Sequence, residues 1–166
     1  MAVQLSNNNK SVGFSLGAGS NLGRSKNQKE PVRTFVKRFE KPVVSAEKFH
    51  EYQKMSDKKQ RYLKGIAGWY IRAQVIDGIR NRNSIRPSDI VTLDIDYATP
   101  QFLEDLLAGK ILEGYTFMAH SSRSHTPENP RIRIIVFLHG QVDADRYGAA
   151  SRIIAQIADP EMVFVD

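Results

Sequence analysis

Two aspartates lie one residue apart in VTLDIDY, residues 91–97. The apolar residues of this segment predict a buried strand, and alternate residues of a strand face the same side, so Asp94 and Asp96 share one face. Carboxylates this close repel each other unless a cation or a proton lies between them. Oxygen ligands with open positions suit Mg²⁺ or Mn²⁺. The spacing therefore predicts a divalent metal site, and the alternative is a pair of carboxylates that simply face water.

Residues suited to phosphate chemistry follow in the second half of the chain. Two arginines, again one residue apart, begin RIRIIVFL and offer forked donors to phosphate oxygens, unless they only form the exposed end of a strand. The preceding loop, SSRSHTPENP, holds a histidine that could donate to a triphosphate or transfer a proton, or could be an ordinary loop donor. A further aspartate ends the last apolar segment, MVFVD. The candidates beyond the aspartate pair are His125, Ser122, Ser124, Arg131, Arg133 and Asp166. Together they fit nucleotidyl transfer better than hydrolysis of a neutral ester.

The second half of the chain also predicts the elements that would bring these residues together. Its order is strand, helix, strand, strand, helix, strand, which is the ferredoxin-like split βαβ arrangement. In the usual strand order of that fold the first strand lies between the third and the fourth, so the acids and arginines would converge on one open sheet face. Thr99 and Asp143 are the predicted N-caps, with Pro100 at the first helical position. The predicted strands are 90–97, 115–120, 131–138 and 162–166, and the predicted helices are 99–109 and 143–159. We therefore expect an α+β fold with a ferredoxin/RRM-like βαββαβ palm.

The first half predicts an N-terminal α/β extension to that palm. Residues 1–30 are rich in Asn, Ser, Gly and Lys and predict a flexible leader, or alternatively a basic arm that contacts DNA. The remainder, 31–166, is the predicted catalytic domain. Within it, alternation predicts a strand over PVRTFVKRF, and glycines bound another over GWYIRAQVIDG. Two short helices are predicted between them, SAEKFHEYQKM with Ser45 as its N-cap and the basic SDKKQRYLKGI.

Composition limits the class of protein and its partners. The chain has 166 residues, with 24 Lys and Arg against 18 Asp and Glu, a net charge of +6 and no cysteine. The positive charge favours a polyanionic partner, although a solvated basic surface would show the same surplus. The absence of cysteine excludes disulfides, thiolate metal sites and thiol nucleophiles. Because the apolar runs are too short to span a bilayer and the first residues lack a secretion signal, we expect a cytoplasmic protein with no membrane partner.

Three of these segments resemble the archaeo-eukaryotic primase superfamily over about residues 60–166. They are VTLDID, AHSSRSHTPENPRIRIIVFL and YGAASRIIAQIADPEMVFVD, and SHTPENPRIR is the most specific part. The similarity is greatest to the primase-polymerase domains at the N-terminus of phage and plasmid primase-helicases. Their pattern is an apolar strand with two acids, a small-x-His motif and a later strand that ends in an acid. The positions that match it are Asp94, Asp96, His125 and Asp166.

This resemblance implies a template-directed polymerase that starts or extends primers from NTPs or dNTPs, in a bacterial cytoplasm and encoded by a phage or plasmid. The three aspartates would act in catalysis by holding two Mg²⁺ or Mn²⁺ ions. His125, with Arg131, Arg133 and the nearby Ser122 and Ser124, would contact the incoming nucleotide. The basic segment from Lys58 to Arg82 would contact a single-stranded DNA template, and a helicase domain or protein would be a partner.

The sequence departs from the family pattern and leaves two other classes open. The small residue precedes His125 directly, and the third acid is the final residue, so we expect a domain truncated on its C-terminal side that binds nucleotide better than it synthesises primers. One rival is a non-catalytic RRM-like nucleic-acid-binding sheet, which would need aromatic residues on its central strands. The other is a rolling-circle initiator or relaxase, although His120 and His125 do not form the histidine pair that this chemistry needs.

Overall fold

The computed structural model describes residues 2–4, 10–18 and 25–160, and these form a mixed α+β fold with two antiparallel sheets and five helices. The strands are β1 Ala2–Gln4, β2 Ser11–Gly17, β3 Lys26–Pro31, β4 Trp69–Ile71, β5 Ser88–Ile95, β6 Phe117–Ser121 and β7 Ile132–Val142. The helices are α1 Val32–Lys37, α2 Phe49–Gln53, α3 Asp57–Ile66, α4 Pro100–Leu107 and α5 Tyr147–Ala158. The larger sheet has the order β1-β6-β7-β5 and the smaller one β3-β2-β4.

The larger sheet is covered on both faces, which explains why its strands are so apolar. Along β5, Val91 and Leu93 face α4 and α5 and form one core with Ile134 of β7. Ile90 faces the other side and packs in a second core with Phe14 of the smaller sheet and with α1. The predicted open sheet face is therefore covered over much of its length by β2 and α1. In the part of the chain that the structure describes, the end of that face nearest Asp94 and Asp96 remains accessible for a site.

The elements of the second half agree with their local sequence signals. The strands β5, β6 and β7 lie at the predicted places, and β7 pairs with both of the others. Helix α4 begins as predicted at Pro100, and the Thr99 side chain accepts a hydrogen bond from the backbone N–H of Phe102 at 3.1 Å. Helix α3 coincides with the predicted basic helix. The predicted last strand, residues 162–166, lies outside the described residues, so the complete ferredoxin-like palm stays a prediction.

Several predicted elements are wrong in type or in extent. PVRTFVKRF contains a helix, α1, because Val32, Phe35 and Val36 lie on one helical face and pack into the second core. The segment predicted as a strand after Gly68 forms only the short β4 before the chain turns. Helix α5 begins after Arg146 and is not capped by Asp143.

The prediction of a flexible leader is wrong for β2 and β3. Val12 and Phe14 of β2 are fully buried, and β2 pairs with both β3 and β4. The Lys10 ammonium donates to the carbonyls of Leu138 and His139 at 2.6 and 2.8 Å, and it forms an ion pair with the buried Asp89. The N-terminal segment is therefore joined to β5 and β7 by apolar packing and by a partly buried charge pair.

Candidate functional site

The charged residues predicted from the sequence lie at one end of β5 and β7, on the face that the smaller sheet covers farther along. Ile90 opposes Phe137 in the buried part, and Asp94 opposes Arg133 nearer the end. The side chains of this face thus change from apolar to charged at the point where β2 and α1 no longer pack against it. This change explains why a buried strand carries two carboxylates on one side.

Each aspartate of this face is paired with an arginine at or just before the start of β7. Arg133 Nε and Nη2 donate to the two carboxylate oxygens of Asp94 at 2.5 and 2.9 Å, which is the forked geometry of a strong charge-assisted pair. Arg131 Nη1 lies 3.7 Å from Asp96 Oδ1, so the second pair is looser. Both carboxylates remain accessible, with side-chain exposures of 60% for Asp94 and 63% for Asp96. The positive charge that relieves their repulsion comes here from two arginines.

Arg133 is the central member of a row of charged and aromatic groups. Burial by itself lowers the pKa of Arg133, but the hydrogen bond to Asp94 and the neighbouring charges outweigh burial and raise it. On the other side of β7, Arg133 opposes His120 of β6. The His120 ring stacks on Phe39 with 5.0 Å between centroids, and burial is the main cause that lowers its pKa. A neutral His120 therefore lies beside the cation, a role that the sequence did not indicate.

The loop before β7 places His125 beside the backbone of Arg131. The backbone N–H of Arg131 donates to His125 Nδ1 at 3.2 Å, so in the neutral ring the proton is on Nε2. Ser122 N donates to the Arg131 carbonyl at 2.9 Å and fixes the base of the loop, while Ser124 is half-buried. His125 is thus positioned as a donor at the same end of the sheet as the charge pairs, and its contact with a nucleotide stays a prediction.

Arg123 anchors this loop to the segment before α2. Its guanidinium forms an ion pair with Glu47 and lies 4.3 Å from the centre of the Tyr52 ring. It also donates to Ser45 Oγ at 2.5 Å. Ser45 is therefore a partner of the loop rather than the predicted N-cap, and α2 begins only after Lys48.

The predicted metal ligands are only partly described. Asp94 and Asp96 offer accessible oxygens on one face, which is the donor type that Mg²⁺ and Mn²⁺ favour, so the pair fits a divalent ion if Arg133 releases Asp94. Asp166, the third predicted ligand, lies outside the described residues. Within residues 2–4, 10–18 and 25–160, no three His, Asp or Glu side chains cluster as a metal site.

A cavity of about 550 Å³ adjoins the Asp94–Arg133 pair. Its wall includes Thr92 of β5, Arg72 and Arg80 near β4, and Tyr147 of α5. The Arg72 guanidinium lies 3.4 Å from the centre of the Tyr147 ring, and the Tyr147 hydroxyl accepts a hydrogen bond from Thr92 N at 2.9 Å. The sequence did not indicate Arg72 as a member of this site. Arg72 follows the short strand β4, and no local pattern shows that the chain there approaches β5.

Fold and site together define an α+β protein that presents a paired acid and arginine face beside a basic cavity. The chain belongs to the VapE N-terminal domain family, whose profile matches residues 2–163. That family is associated with phage and plasmid replication. The match includes the N-terminal strands, which the primase resemblance did not cover. No curated protein and no solved structure matches the chain. None of the helices in the described ranges has the length and apolar character needed to cross a membrane.

Proposed function

We propose that this chain is a primase-polymerase domain of phage or plasmid replication, which joins nucleotides from NTPs or dNTPs on a single-stranded DNA template. The observation that carries the proposal is the matched arrangement of two acids and two arginines at the end of β5 and β7. A nucleotidyl-transfer site needs acids for divalent ions and cations for a triphosphate in one place. The membership of a replication-associated family supports the same reading.

The residues of the site would divide between ion and nucleotide. Asp94 and Asp96 would hold Mg²⁺ or Mn²⁺, which neutralises phosphate charge and activates a primer hydroxyl when bound. The arginines, released from the carboxylates, would bind phosphate oxygens, and Arg131 is suited to this because its buried Nε has no hydrogen-bond partner in the described part of the chain. His125 Nε2 would donate to the same phosphates. Asp166 remains the proposed third acid.

The template would bind outside the cavity, on α3. This helix buries none of its residues and carries the exposed Lys58, Lys59, Arg61 and Lys64, so its cations are accessible to a phosphate backbone. Tyr62, with 55% of its surface exposed, offers a ring on which a base could stack. A helicase domain or protein would be the partner that opens a duplex for this site.

The structure does not favour the two rival functions. A non-catalytic RRM-like sheet binds bases on exposed aromatic residues of its central strands. Phe137, in the middle of β7, is 7% exposed and packs in the second core. A rolling-circle initiator needs paired histidines, whereas His120 lies on β6 under Phe39 and His125 lies in the following loop.

The proposal is tested by calorimetric binding of a nucleoside triphosphate with Mn²⁺. We expect binding by the unaltered chain and loss of it in the double variant Asp94→Ala with Asp96→Ala. Asp105→Ala is the matched control, because Asp105 of α4 is also a solvent-accessible acid that is paired with a cation, Lys110. Equal binding by the double variant and the control would refute the assignment of the site. Incorporation of labelled nucleotides on a primed template, lost in the same double variant, then tests the catalytic step.

A further inference from the structure

The cavity beside Asp94 contains a buried polar atom that the fold leaves unsatisfied. Arg72 Nε is inaccessible to solvent and makes no hydrogen bond to any described residue, and Arg72 lines the cavity together with Tyr70 and Thr92. Unsatisfied buried polar groups are few in folded proteins, and a ligand or ordered water is their usual explanation. Burial raises the pKa of the Tyr70 hydroxyl, so it remains a donor at neutral pH. The cavity is therefore prepared for a polar occupant.

The charges of the cavity indicate that this occupant is an anion. Its lining residues include three arginines, Arg72, Arg80 and Arg133, and one carboxylate, Asp94. Since Arg133 already engages both oxygens of Asp94, the other two arginines have no carboxylate partner among the described lining residues. Three cations and one paired carboxylate leave an excess of positive charge in the cavity, which favours an oxyanion.

Arg72 is the residue best positioned to bind that anion. Its guanidinium lies 3.4 Å from the centre of the Tyr147 ring, which fixes the plane of the group without using its N–H donors. The Arg72 carbonyl accepts from Ser88 Oγ at 2.8 Å, so the backbone is also tied to β5. A guanidinium held in plane with free donors is prearranged for the forked hydrogen bonds that a phosphate group accepts.

We propose that Arg72, held by Tyr147, binds a phosphate group in this cavity, with Arg80 as a second cation and the Tyr70 hydroxyl as an additional donor. The proposal deepens the proposed function, because it adds a phosphate-binding residue outside the predicted motifs of the same site. The proposal rests on the proposed function only in naming the molecule to which the phosphate group belongs. The phosphate could belong to a free nucleotide or to a nucleic-acid backbone, and the two sources are separable by experiment.

The test measures phosphate binding without divalent metal, so that it does not depend on metal binding by the aspartates. Inorganic triphosphate is titrated by calorimetry in EDTA, and a fluorescent single-stranded oligonucleotide is titrated by anisotropy at the same low salt concentration. The variant is Arg72→Gln, and the matched control is Arg38→Gln. Arg38 also lies over an aromatic ring, 5.5 Å from the centre of Phe14, but it is not among the cavity's lining residues.

We expect Arg72→Gln to lower the affinity for at least one of the two ligands about tenfold, as loss of a charge-assisted contact does. The affinities of Arg38→Gln should stay within about twofold of those of the unaltered chain. Weaker triphosphate binding would identify a free nucleotide as the carrier, and weaker oligonucleotide binding alone would identify a backbone. Wild-type affinity of Arg72→Gln for both ligands, or equal losses in the Arg38 variant, would overturn the proposal.

A second variant covers the case in which Arg72→Gln fails to fold. Arg72→Lys keeps the charge but loses the planar fork, so we expect a folded protein by thermal unfolding and a smaller loss of phosphate affinity. Affinity equal to that of the unaltered chain for both ligands would contradict a forked contact by Arg72. If Mn²⁺-dependent nucleotide binding survives in the Asp94 and Asp96 double variant while Arg72→Gln loses phosphate binding, the proposed metal site fails and the phosphate site stands.

Discussion

Loss of the Asp94–Arg133 pair should change the affinity for triphosphate, and the direction of that change should depend on whether a divalent metal ion is present. Arg133 uses two N–H groups on Asp94, and the same groups would bind a triphosphate in the proposed function. Without a divalent ion the carboxylate competes with the phosphate for the arginine. Substitution of Asp94 by alanine should therefore strengthen metal-free triphosphate binding and weaken binding in the presence of Mn²⁺.

The magnitude follows from the geometry and the exposure of the pair. The two hydrogen bonds are short and bidentate, but side-chain exposures of 36% for Arg133 and 60% for Asp94 let solvent screen them. Accessible ion pairs contribute about 0.2–1 kcal/mol, and a fork belongs at the upper end of that range. About 1 kcal/mol corresponds to roughly a fivefold gain in metal-free affinity. Loss of a carboxylate ligand should reduce Mn²⁺-dependent affinity by about tenfold or more.

The assay is a pair of calorimetric titrations with triphosphate, one in EDTA and one with Mn²⁺, on the unaltered chain and on Asp94→Ala. Glu30→Ala is the matched control, because Arg38 donates to both oxygens of Glu30 at 2.6 and 2.8 Å in the same forked geometry, away from the cavity. The control should change neither titration. A fall or no change in metal-free affinity for Asp94→Ala would refute the idea that Arg133 exchanges carboxylate for phosphate.

Three further predictions concern stability and pH. Phe14→Ala should lower the free energy of unfolding by about 3–5 kcal/mol in urea titrations, because Phe14 is fully buried, whereas Phe49→Ala, at a residue 43% exposed, should cost under about 1 kcal/mol; similar losses would mean that β2 is not part of the core. Asp89→Ala should cost roughly 3 kcal/mol by the same measurement, since it leaves the partly buried Lys10 ammonium without its carboxylate, and a loss below about 1 kcal/mol would contradict a stabilising pair. Stability should fall as pH drops from about 8 to 5, because the folded state holds the pKa of His120 below its ordinary 6.5 and the unfolded chain then binds more protons. His120→Gln should flatten this dependence, and an unchanged slope would remove His120 as its cause.

Local patterns in the sequence were sufficient where the interacting residues are close along the chain. Helix α4 followed from its cap and its proline, and α3 from a short polar and basic run. The period of two along β5 and β7 placed Asp94 with Asp96 and Arg131 with Arg133, since alternate side chains of a strand share a face. The order of β6, β7 and β5 in the larger sheet also agreed with prediction. The acid and arginine face could therefore be predicted from residue type and spacing alone.

The sequence predicted the wrong structure for segments whose conformation depends on residues far away in the chain. VRTFVK is compatible with strand alternation and with a helical face, and packing against β2 favours the helix. The Gly- and Ser-rich β2 has little local strand signal, yet Ser15 Oγ donates to the Ala73 carbonyl at 2.9 Å, across 58 residues of sequence. Long-range pairing of this kind compensates for weak local preference, and it leaves no trace in a short window.

The sequence by itself determined which residues of β5 and β7 carry charge, on which face they lie and that the surplus charge is positive, because these properties depend on residue type and period alone. The tertiary structure decided how the charges are paired. It placed the Arg133 guanidinium against Asp94, where the spacing of the carboxylates had predicted a metal ion. It also brought Arg72, the residue after β4, onto Tyr147 of α5, and both residues line the cavity. Both outcomes depend on side chains from segments far apart in the chain, whose approach is set by the packing of two sheets and not by any local pattern.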